Sequence, residues 1–286
     1  MKFFATISRY SIEKKIISCI VTVALIALFV MFIGFLDWGR FDISIYEVSS
    51  EKIDESVRVV CVSDLHLREF GKNNEKLIEK IKSLKPDIIA VPGDLTISGR
   101  KDHTVAVEFL KNLKEVAPVY YSYGNHEYSE ILFDKSSTLR NDIKNTGVQL
   151  VNNSSVTATV NGNKIEIGGF CASEKSFDNA AKFLKEYEKK DGYKLLLCHH
   201  VECFETAMEE YPVDLALTAH AHGGQFRLPV VGPLFAPDQG LFPKLTEGMH
   251  ELCGSTVIIS RGLGNSHFVP RFNNNPEIVV VDIKGI

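Results

Sequence analysis

The sequence lacks a general excess of basic residues, which limits the partners that its surface charge can attract. The formal net charge is −4, from 32 Lys and Arg against 36 Asp and Glu. Residues 1–40 carry a net +3, which leaves −7 for the rest of the chain. Because an acidic domain has no general attraction for phosphate backbones, long nucleic acids are poor candidates for tight partners.

The sequence also lacks a disulfide framework and a flexible linker. Its six cysteines include no Cys-x-x-Cys pair, so no disulfide scaffold is indicated. No stretch rich in Pro and Gly and no internal repeat divides the chain after residue 40. With 45% apolar and 24% charged residues, the composition is ordinary for a globular protein. Residues 41–286 are therefore expected to form one domain.

Charge is absent from residues 16–36, a run of 21 residues that is almost wholly apolar. At about 1.5 Å per residue, a helix of this length spans roughly 30 Å, the thickness of a bilayer core. No small-x-small cleavage site follows the run, which favours a membrane anchor over a signal peptide or a buried helix. Lys14 and Lys15 precede the run, and Trp38 follows it as an interfacial residue. We therefore expect residues 1–40 to be a cytoplasmic N-terminus and a single transmembrane helix in the cell membrane, with the large domain extracytoplasmic.

Beyond the apolar run, strand-like segments alternate with helical patterns. Residues 57–65, 86–95 and 117–125 have strand composition, and residues 72–85 and 102–116 have helical spacing of apolar residues. This βαβαβ order indicates parallel strands buried on both faces. Further elements are expected as a hairpin turning at residues 161–163, a helix at about 176–190, and strands at 194–200, 214–222, 255–260 and 277–283. The predicted fold class is α/β, a layered sandwich with mixed central sheets, and residues 230–247 are a long loop and a candidate cover for a site.

Polar residues that can bind metal follow five of the apolar runs. They are Asp64 and His66, Asp94 after Gly93, Asn125 with His126 and Glu127 after Gly124, His199 with His200, and His220 with His222. Ligand sites of α/β sheets gather outside the carboxyl ends of strands, so these residues can converge on one crevice. Because residues i and i+2 of an extended segment share a face, each Asp-x-His or His-x-His pair is expected to approach one region. Each motif alone is more often a turn or a strand end, but the five together favour a metal centre.

The ordered motifs D-x-H, G-D, G-N-H-E, H and H-x-H resemble those of the calcineurin-like metallophosphoesterase superfamily over residues 55–286. The stretch AHAHGGQFRLP (219–229) resembles a membrane-anchored or exported bacterial branch of it. The resemblance implies that one metal ion is bound by Asp64, His66 and His222. It implies that a second metal ion is bound by Asn125, His199 and His220, and that Asp94 bridges the two ions. His126 resembles the catalytic histidine that is not a ligand and lies near the leaving group.

Two positions depart from the family pattern or leave a choice open. Ala219 stands where the family usually has glycine before the last histidine pair, and its methyl group should be tolerated if the local dihedral angles are ordinary. Strand alternation lets only one of His199 and His200 face inward, and the family register favours His199.

Further residues have roles that the sequence leaves open. Glu127 either orients His126 or is a surface acid. Cys198 is either a buried strand residue, the preferred interpretation, or a redox-sensitive thiol. Asn265 and His267 follow a predicted strand end and are candidates for the substrate pocket.

The chemistry implied is hydrolysis of a phosphoester by a hydroxide that bridges two divalent metal ions. Oxygen and nitrogen ligands without thiolate suit Mn, Fe or Zn, and two cations about 3.5–4 Å apart can bind both nonbridging phosphate oxygens. His126 would assist the leaving group by donating a proton or a hydrogen bond. The substrate is expected to be a phosphodiester, a phosphomonoester or a pyrophosphate. The anchor favours a lipid or envelope compound.

Two alternatives remain at this point. One is a nucleotide phosphodiesterase, since the acidic charge counts against long nucleic acids but not against small nucleotides. The other is a metal-binding envelope protein without turnover. His126 and the full set of ligands disfavour this second alternative, because binding alone requires no group at the leaving oxygen.

Overall fold

The structure is a computed structural model that describes residues 14–25, 39–171, 177–205, 208–265 and 271–286. The chain divides into two compact units, Met1–Trp38 and Gly39–Ile286. In the first unit, residues 14–25 are helical and exposed. Within the described ranges, no helix has the length and apolar character that crossing a membrane requires. Residues 26–36 of the predicted span lie outside those ranges, so the membrane anchor stays a prediction.

The second unit is built on two six-stranded sheets. The first has the order β1 (Asp42–Ser50), β16 (Glu277–Gly285), β2 (Val57–Cys61), β3 (Ile88–Val91), β4 (Val119–Tyr121) and β5 (Gln149–Leu150). The second has the order β14 (Gly248–Leu252), β15 (Ser255–Ile259), β9 (Leu215–Ala219), β8 (Tyr193–His200), β7 (Asn163–Phe170) and β6 (Ser154–Val160). Strands β2 to β5 are parallel, as are β15, β9, β8 and β7, whereas β16, β14 and β6 pair antiparallel to β2, β15 and β7. The mixed sheets expected from the sequence are confirmed.

In the described part of this unit, five helices connect the parallel strands. They are α1 (Glu75–Ser83), α2 (Thr104–Lys114), α3 (Asn125–Phe133), α4 (Leu139–Thr146) and α5 (Asp178–Tyr187). Short 3-10 turns occupy Lys72–Asn74, Val201–Glu205 and His222–Gly224. Helices α1 to α4 lie between strands of the first sheet in the chain order, and α5 lies between β7 and β8 of the second.

The apolar side chains form three cores, because neighbouring residues of a strand point to opposite faces of the sheet. Val59 of β2 belongs to a core that also contains Leu217 of β9, so this core lies between the two sheets. The next residue, Val60, belongs to the core that contains Leu110 of α2. A third core joins Leu184 of α5 to the outer face of the second sheet. The two sheets therefore pack face to face, with helices on the outer face of each sheet, as the predicted layered sandwich requires.

Several parts of the fold differ from the sequence prediction, and helices α3 and α4 are among the elements that were not predicted. Strand β1 was not predicted, because its residues are mostly half-exposed at a sheet edge and its partner, β16, is far away in sequence. Strand β14, also an edge strand, was missed because its residues alternate between half-exposed and exposed. The predicted loop 230–247 overlaps two hairpins, β10 (Arg227–Leu228) with β11 (Gly232–Pro233) and β12 (Phe235–Ala236) with β13 (Gly240–Leu241).

Candidate metal centre

The carboxyl ends of the parallel strands bring six of the predicted ligands into two adjoining groups. Asp64, His66 and His222 offer ligand atoms that all lie within 4.8 Å of one another. The same holds for the second group, which consists of Asp94, His199 and His220. The groups adjoin because His199 Nε2 lies 3.9 Å from Asp64 Oδ1 and His66 Nε2 lies 3.9 Å from Asp94 Oδ2. All six residues are buried.

Two oxygen atoms lie at the centres of these groups. The Nε2 atoms of His222, His66 and His199 lie 3.6, 3.7 and 3.9 Å from Asp64 Oδ1. Asp94 Oδ2 lies 3.2 Å from His199 Nε2. Ligand atoms around one cation with bonds of about 2.0–2.2 Å lie roughly 3–3.5 Å apart, so these spacings are close to those of a metal polyhedron.

The seventh predicted ligand, Asn125, is the first residue of α3 and does not end a strand as expected. The next residue, His126, donates its backbone N–H to Asp94 Oδ1 at 2.9 Å, which places the start of α3 beside the second group. Asn125 Oδ1 is buried and has no hydrogen-bond partner in the described part of the chain.

The backbone at the ligands is not extended, so the expected reason for their shared face was wrong. Asp64, His66, Asp94, His220 and His222 all have positive φ, between 46° and 67°. Left-handed backbone at a non-glycine residue costs energy and persists only where its surroundings impose it. Here the neighbouring loop does so, since the backbone N–H groups of Asp64 and His66 donate to the carbonyls of Gly93 and Asp94. Turns after β2, β3 and β9 therefore aim the ligands.

Close backbone packing explains the glycines of the G-D and G-N-H motifs. Gly93 has a φ of 96°, and a Cβ atom there would lie 2.1 Å from the backbone nitrogen of Gly124. A Cβ atom on Gly124 would lie 2.1 Å from Asp94 Oδ1. Ala219, by contrast, lies within β9 and is not among the residues with positive φ. Its methyl group is accommodated there, as the sequence predicted.

Backbone carbonyls determine which nitrogen of two histidines faces the site. His66 Nδ1 donates to the carbonyl of Thr96 at 3.1 Å, and His199 Nδ1 donates to the carbonyl of Pro92 at 2.7 Å. A carbonyl oxygen can only accept, so both rings carry a proton on Nδ1. Nε2 is then the atom that takes either a second proton or a cation.

Among the predicted ligands, three buried atoms that could bind a metal ion lack a hydrogen-bond partner within the described ranges. They are Asp64 Oδ1, Asn125 Oδ1 and His199 Nε2. The other oxygen of Asp64 accepts a hydrogen bond from Ser63 Oγ at 2.9 Å, so only the atom that faces the histidines is unsatisfied. Buried polar atoms without partners are costly. A divalent cation satisfies oxygen and nitrogen atoms of these types, so the residues present fit a metal centre.

The carboxylates of the site attract positive charge. Burial alone would raise the pKa of Asp94, but His199, followed by His66 and His126, lowers it well below its usual value. Burial alone would likewise lower the pKa of His199, but Asp94 and then Asp64 raise it to about 10. A histidine in this position takes a proton unless a metal cation replaces that proton.

His126 differs from the other site histidines in exposure and in its hydrogen bonds. Its side chain is 18% exposed. The backbone N–H of Ser98 donates to His126 Nδ1 at 2.9 Å, so the proton of the neutral ring is on Nε2. Burial lowers the pKa of His126, which favours this neutral form. Nε2 lies 3.9 Å from Asp94 Oδ2, at the edge of the second group.

Glu127 takes neither of the roles considered from the sequence. It is fully buried, and its oxygens accept hydrogen bonds from the backbone N–H groups of Asp94, Thr96 and Gly124 and from the hydroxyl of Thr96. Glu127 therefore fixes the turn that carries Asp94.

His199 and His200 both face inward, contrary to the expectation that strand alternation admits only one. The pairing of β8 with β9 is irregular between Leu197 and His200, which breaks the alternation. His200 is buried with its ring centroid 4.4 Å from that of His220. Of the two, only His199 belongs to a group with Asp94.

Arg271 and Asp238 were not predicted from the sequence as residues of the site. Arg271 donates hydrogen bonds to the carbonyls of His222, Gly264 and Arg261, and so ties three loops together beside the site. Both missed residues lie outside any recognisable motif, and only the folded loops bring them to the histidines.

Asn265 accepts a hydrogen bond from Arg271 Nε at 3.0 Å, and His267 lies outside the described residues. Cys198 is fully buried, and burial raises the pKa of its thiol well above the usual value, in keeping with the buried interpretation.

The hydrogen bonds of Glu127 lead to a prediction about stability. In Glu127→Gln, an NH₂ group must face either the buried backbone N–H of Thr96 or those of Asp94 and Gly124, depending on how the amide is placed. Because buried unsatisfied groups cost about 1–3 kcal/mol each, we expect the free energy of unfolding of the metal-free protein to fall by about 2 kcal/mol or more in denaturant titration. Glu108→Gln, on the exposed face of α2, is the control and should change stability by less than about 0.5 kcal/mol. Equal stability of the two variants would contradict the role given to Glu127.

Several known proteins are similar to this chain over most of its length. The family described as calcineurin-like phosphoesterase matches residues 57–224. The uncharacterized metallophosphoesterase YkuE of Bacillus subtilis is 27% identical over 81% of this chain and 80% of its own length. The phosphodiesterase YaeI of Escherichia coli is 27% identical, covering 79% and 82%. The UDP-2,3-diacylglucosamine pyrophosphatase LpxG of Chlamydia trachomatis is 26% identical, covering 79% and 83%. With its motifs at the strand ends and more than half of its length matched, the chain belongs to the calcineurin-like phosphoesterase family and is a hydrolase of phosphoester bonds.

Proposed function

We propose that this phosphoesterase uses two divalent metal ions, bound at the two adjoining groups. The proposed ligands are Asp64, His66 and His222 for one ion, and Asn125, His199 and His220 for the other, with Asp94 shared. The proposal rests on the buried oxygen and nitrogen atoms of the proposed ligands of both ions that have no hydrogen-bond partner in the described ranges. Bound there, the metal ions would activate water as a nucleophile and neutralise charge on the phosphoryl oxygens.

The position of Asp94 supports its proposed bridging role. Its Oδ1 accepts the backbone N–H of His126 at 2.9 Å, which orients the carboxylate. Its Oδ2 then lies 3.2 Å from His199 Nε2 and 3.9 Å from His66 Nε2, one histidine from each group. A negative oxygen ligand shared by two cations keeps them close together.

Metal content tests this role. Asp94→Asn should bind less total metal than Asn125→Ala, because it removes charge from both sites, whereas Asn125 serves one. Elemental analysis after equilibration with Mn²⁺ and dialysis measures the difference. Two full equivalents of metal in the Asp94→Asn protein would contradict the bridging role.

The hydrogen bond from Ser98 supports a specific task for His126. With Nδ1 accepting from the backbone, the neutral ring directs Nε2–H towards the second group. The sequence left open whether His126 donates a proton or a hydrogen bond to the leaving oxygen. We therefore propose that it donates a hydrogen bond. A protonated ring would instead set an Nδ1–H against the N–H of Ser98.

Two variants of His126 distinguish donation of a hydrogen bond from transfer of a proton. His126→Ala should keep both metal ions and lose about 10²–10³-fold in kcat, the usual effect of removing one such donor. The loss should be larger for alkyl esters than for p-nitrophenyl esters, since good leaving groups need less help. His126→Gln keeps an N–H donor and should recover part of the loss. If metal content falls in parallel with activity, His126 is a ligand and the assignment is wrong.

The substrate class is proposed to be a lipid-linked phosphoester of the cell envelope. One relative is named for a diacylated sugar nucleotide, and another is named a phosphodiesterase. The hairpins that begin at β10 carry an unusual concentration of exposed apolar side chains, namely Val230, Val231, Phe235, Leu241 and Phe242, each at least 53% exposed. Asp238 in the same hairpins contacts His220, so this apolar surface adjoins the site. The alternative, a nucleotide phosphodiesterase, gives these side chains no task.

Replacing two of these side chains tests the lipid proposal. The double variant Leu241→Ser with Phe242→Ser should lose about tenfold in kcat/KM on a diacyl phosphoester in mixed micelles, equivalent to about 1.4 kcal/mol of lost apolar contact. Its kcat/KM on bis-p-nitrophenyl phosphate should not change. Phe133→Ser, which alters an apolar residue that is 83% exposed on α3, is the control and should affect neither substrate. Equal losses on both substrates, or faster hydrolysis of nucleotides than of lipids by the unaltered protein, would contradict the proposal.

A further inference from the structure

His220 is oriented differently from the other histidines of the centre. His220 Nε2 lies 3.0 Å from Asp238 Oδ2, a hydrogen-bond distance. An ionised carboxylate only accepts, so Nε2 carries the proton and Nδ1 keeps the lone pair. Nδ1 is then the nitrogen with which His220 can join Asp94 and His199 around a cation. In His66 and His199, backbone carbonyls give the opposite assignment, with Nε2 facing the site.

The chain fixes Asp238 through its neighbour in the turn between β12 and β13. Gln239 Nε2 donates to Glu202 Oε1 at 2.9 Å and to the carbonyl of Leu245 at 2.8 Å. Gln239 Oε1 accepts the backbone N–H of Leu245 at 3.0 Å. Glu202 lies two residues after the end of β8, the strand that carries His199. The turn is therefore tied to the strand end beside the second group, and this tie sets the position of the carboxylate.

We infer that Asp238 is a positioning residue for the second metal ion, acting by fixing the tautomer and ring orientation of His220. This inference rests on the proposed function. Carboxylates behind metal-binding histidines typically change metal affinity by 10–100-fold. The side chain of Asp238 is 54% exposed, and solvent screening of an exposed carboxylate places the effect near the low end of that range.

The same side chains offer a competing assignment. His200, His220 and Asp238 form a group whose ligand atoms lie within 4.8 Å of one another, and His200 Nδ1 is buried without a hydrogen-bond partner in the described ranges. A separate cation in this group would have to bind Nε2 of His220, while Nδ1 of the same ring binds the second metal ion of the centre. The His220 ring would then carry no proton on either nitrogen. A hydrogen bond from Nε2 to Asp238 needs no such deprotonation, so we favour positioning.

Calorimetric titration of the metal-free, full-length protein in detergent micelles with Mn²⁺ tests the inference. The unaltered protein should bind two equivalents, and Asp238→Asn should weaken one of them by about tenfold and leave the other unchanged. Asp238→Glu, which restores the carboxylate, should recover part of the loss. Asp102→Asn, at an exposed aspartate before α2, is the matched control and should bind both equivalents as the unaltered protein does.

A double-variant cycle separates positioning from a general effect on the loop. In the His220→Ala background, Asp238→Asn should cause no further loss of Mn²⁺ affinity, because the residue through which it acts is gone. Two unchanged binding steps in Asp238→Asn, or an equal loss with and without His220, would overturn the inference and leave the proposed function standing. A third equivalent that disappears in His200→Ala would assign the cluster to a separate cation. An unaltered protein that binds no Mn²⁺ would overturn the proposed function and this inference with it.

Discussion

The central constraint on this molecule is the burial of two ionised carboxylates, Asp64 and Asp94, within a few ångströms of the same histidines. An isolated carboxylate in a protein interior is so costly that it normally takes up a proton or acquires a counter-charge. Here the surroundings keep both groups ionised, with pKa values far below the usual range despite the opposing effect of burial. The left-handed turns, the two closely packed glycines and the buried Glu127 all serve to hold that arrangement. The site is thus a place where the fold has concentrated negative charge that positive ions must balance.

The site also depends on the pairing of two sheets. Asp64 and Asp94 follow strands of the first sheet, whereas His199 lies in a strand of the second sheet and His220 follows one. The hydrogen bond from His199 to the carbonyl of Pro92 joins the two sheets at the site itself. The central apolar core between the sheets therefore helps to set the distance between the two halves of the centre, so a substitution that repacks that core should also change the geometry of the site.

The residues at the strand ends were easier to predict from the sequence than the groups that orient them. Asp64, Asp94 and His199 could be predicted as site residues because apolar runs in the sequence indicate parallel strands. Parallel strands have their carboxyl ends at the same edge of the sheet, so polar residues at those ends lie close together. The left-handed turns could not be predicted, since they arise from hydrogen bonds between neighbouring loops. Asp238 and Arg271 were missed for a related reason. Each is a single polar residue in an irregular segment, and its partner is fixed only when distant loops meet.

Backbone atoms, rather than side chains, orient two of the histidines at the site. The carbonyls of Pro92 and Thr96 belong to the path of the chain, and any residue that follows the same path presents the same oxygen. Substitution at Pro92 can therefore proceed during evolution without loss of the orienting contact, provided that the turn survives, whereas the hydroxyl of Thr96 also donates to the buried Glu127. His220 has no such freedom, because its orienting oxygen belongs to the side chain of Asp238. Substitutions should therefore be tolerated unequally among the residues that orient the histidines. The side chain can change where the orienting atom is a backbone carbonyl, but not where it is the carboxylate of Asp238.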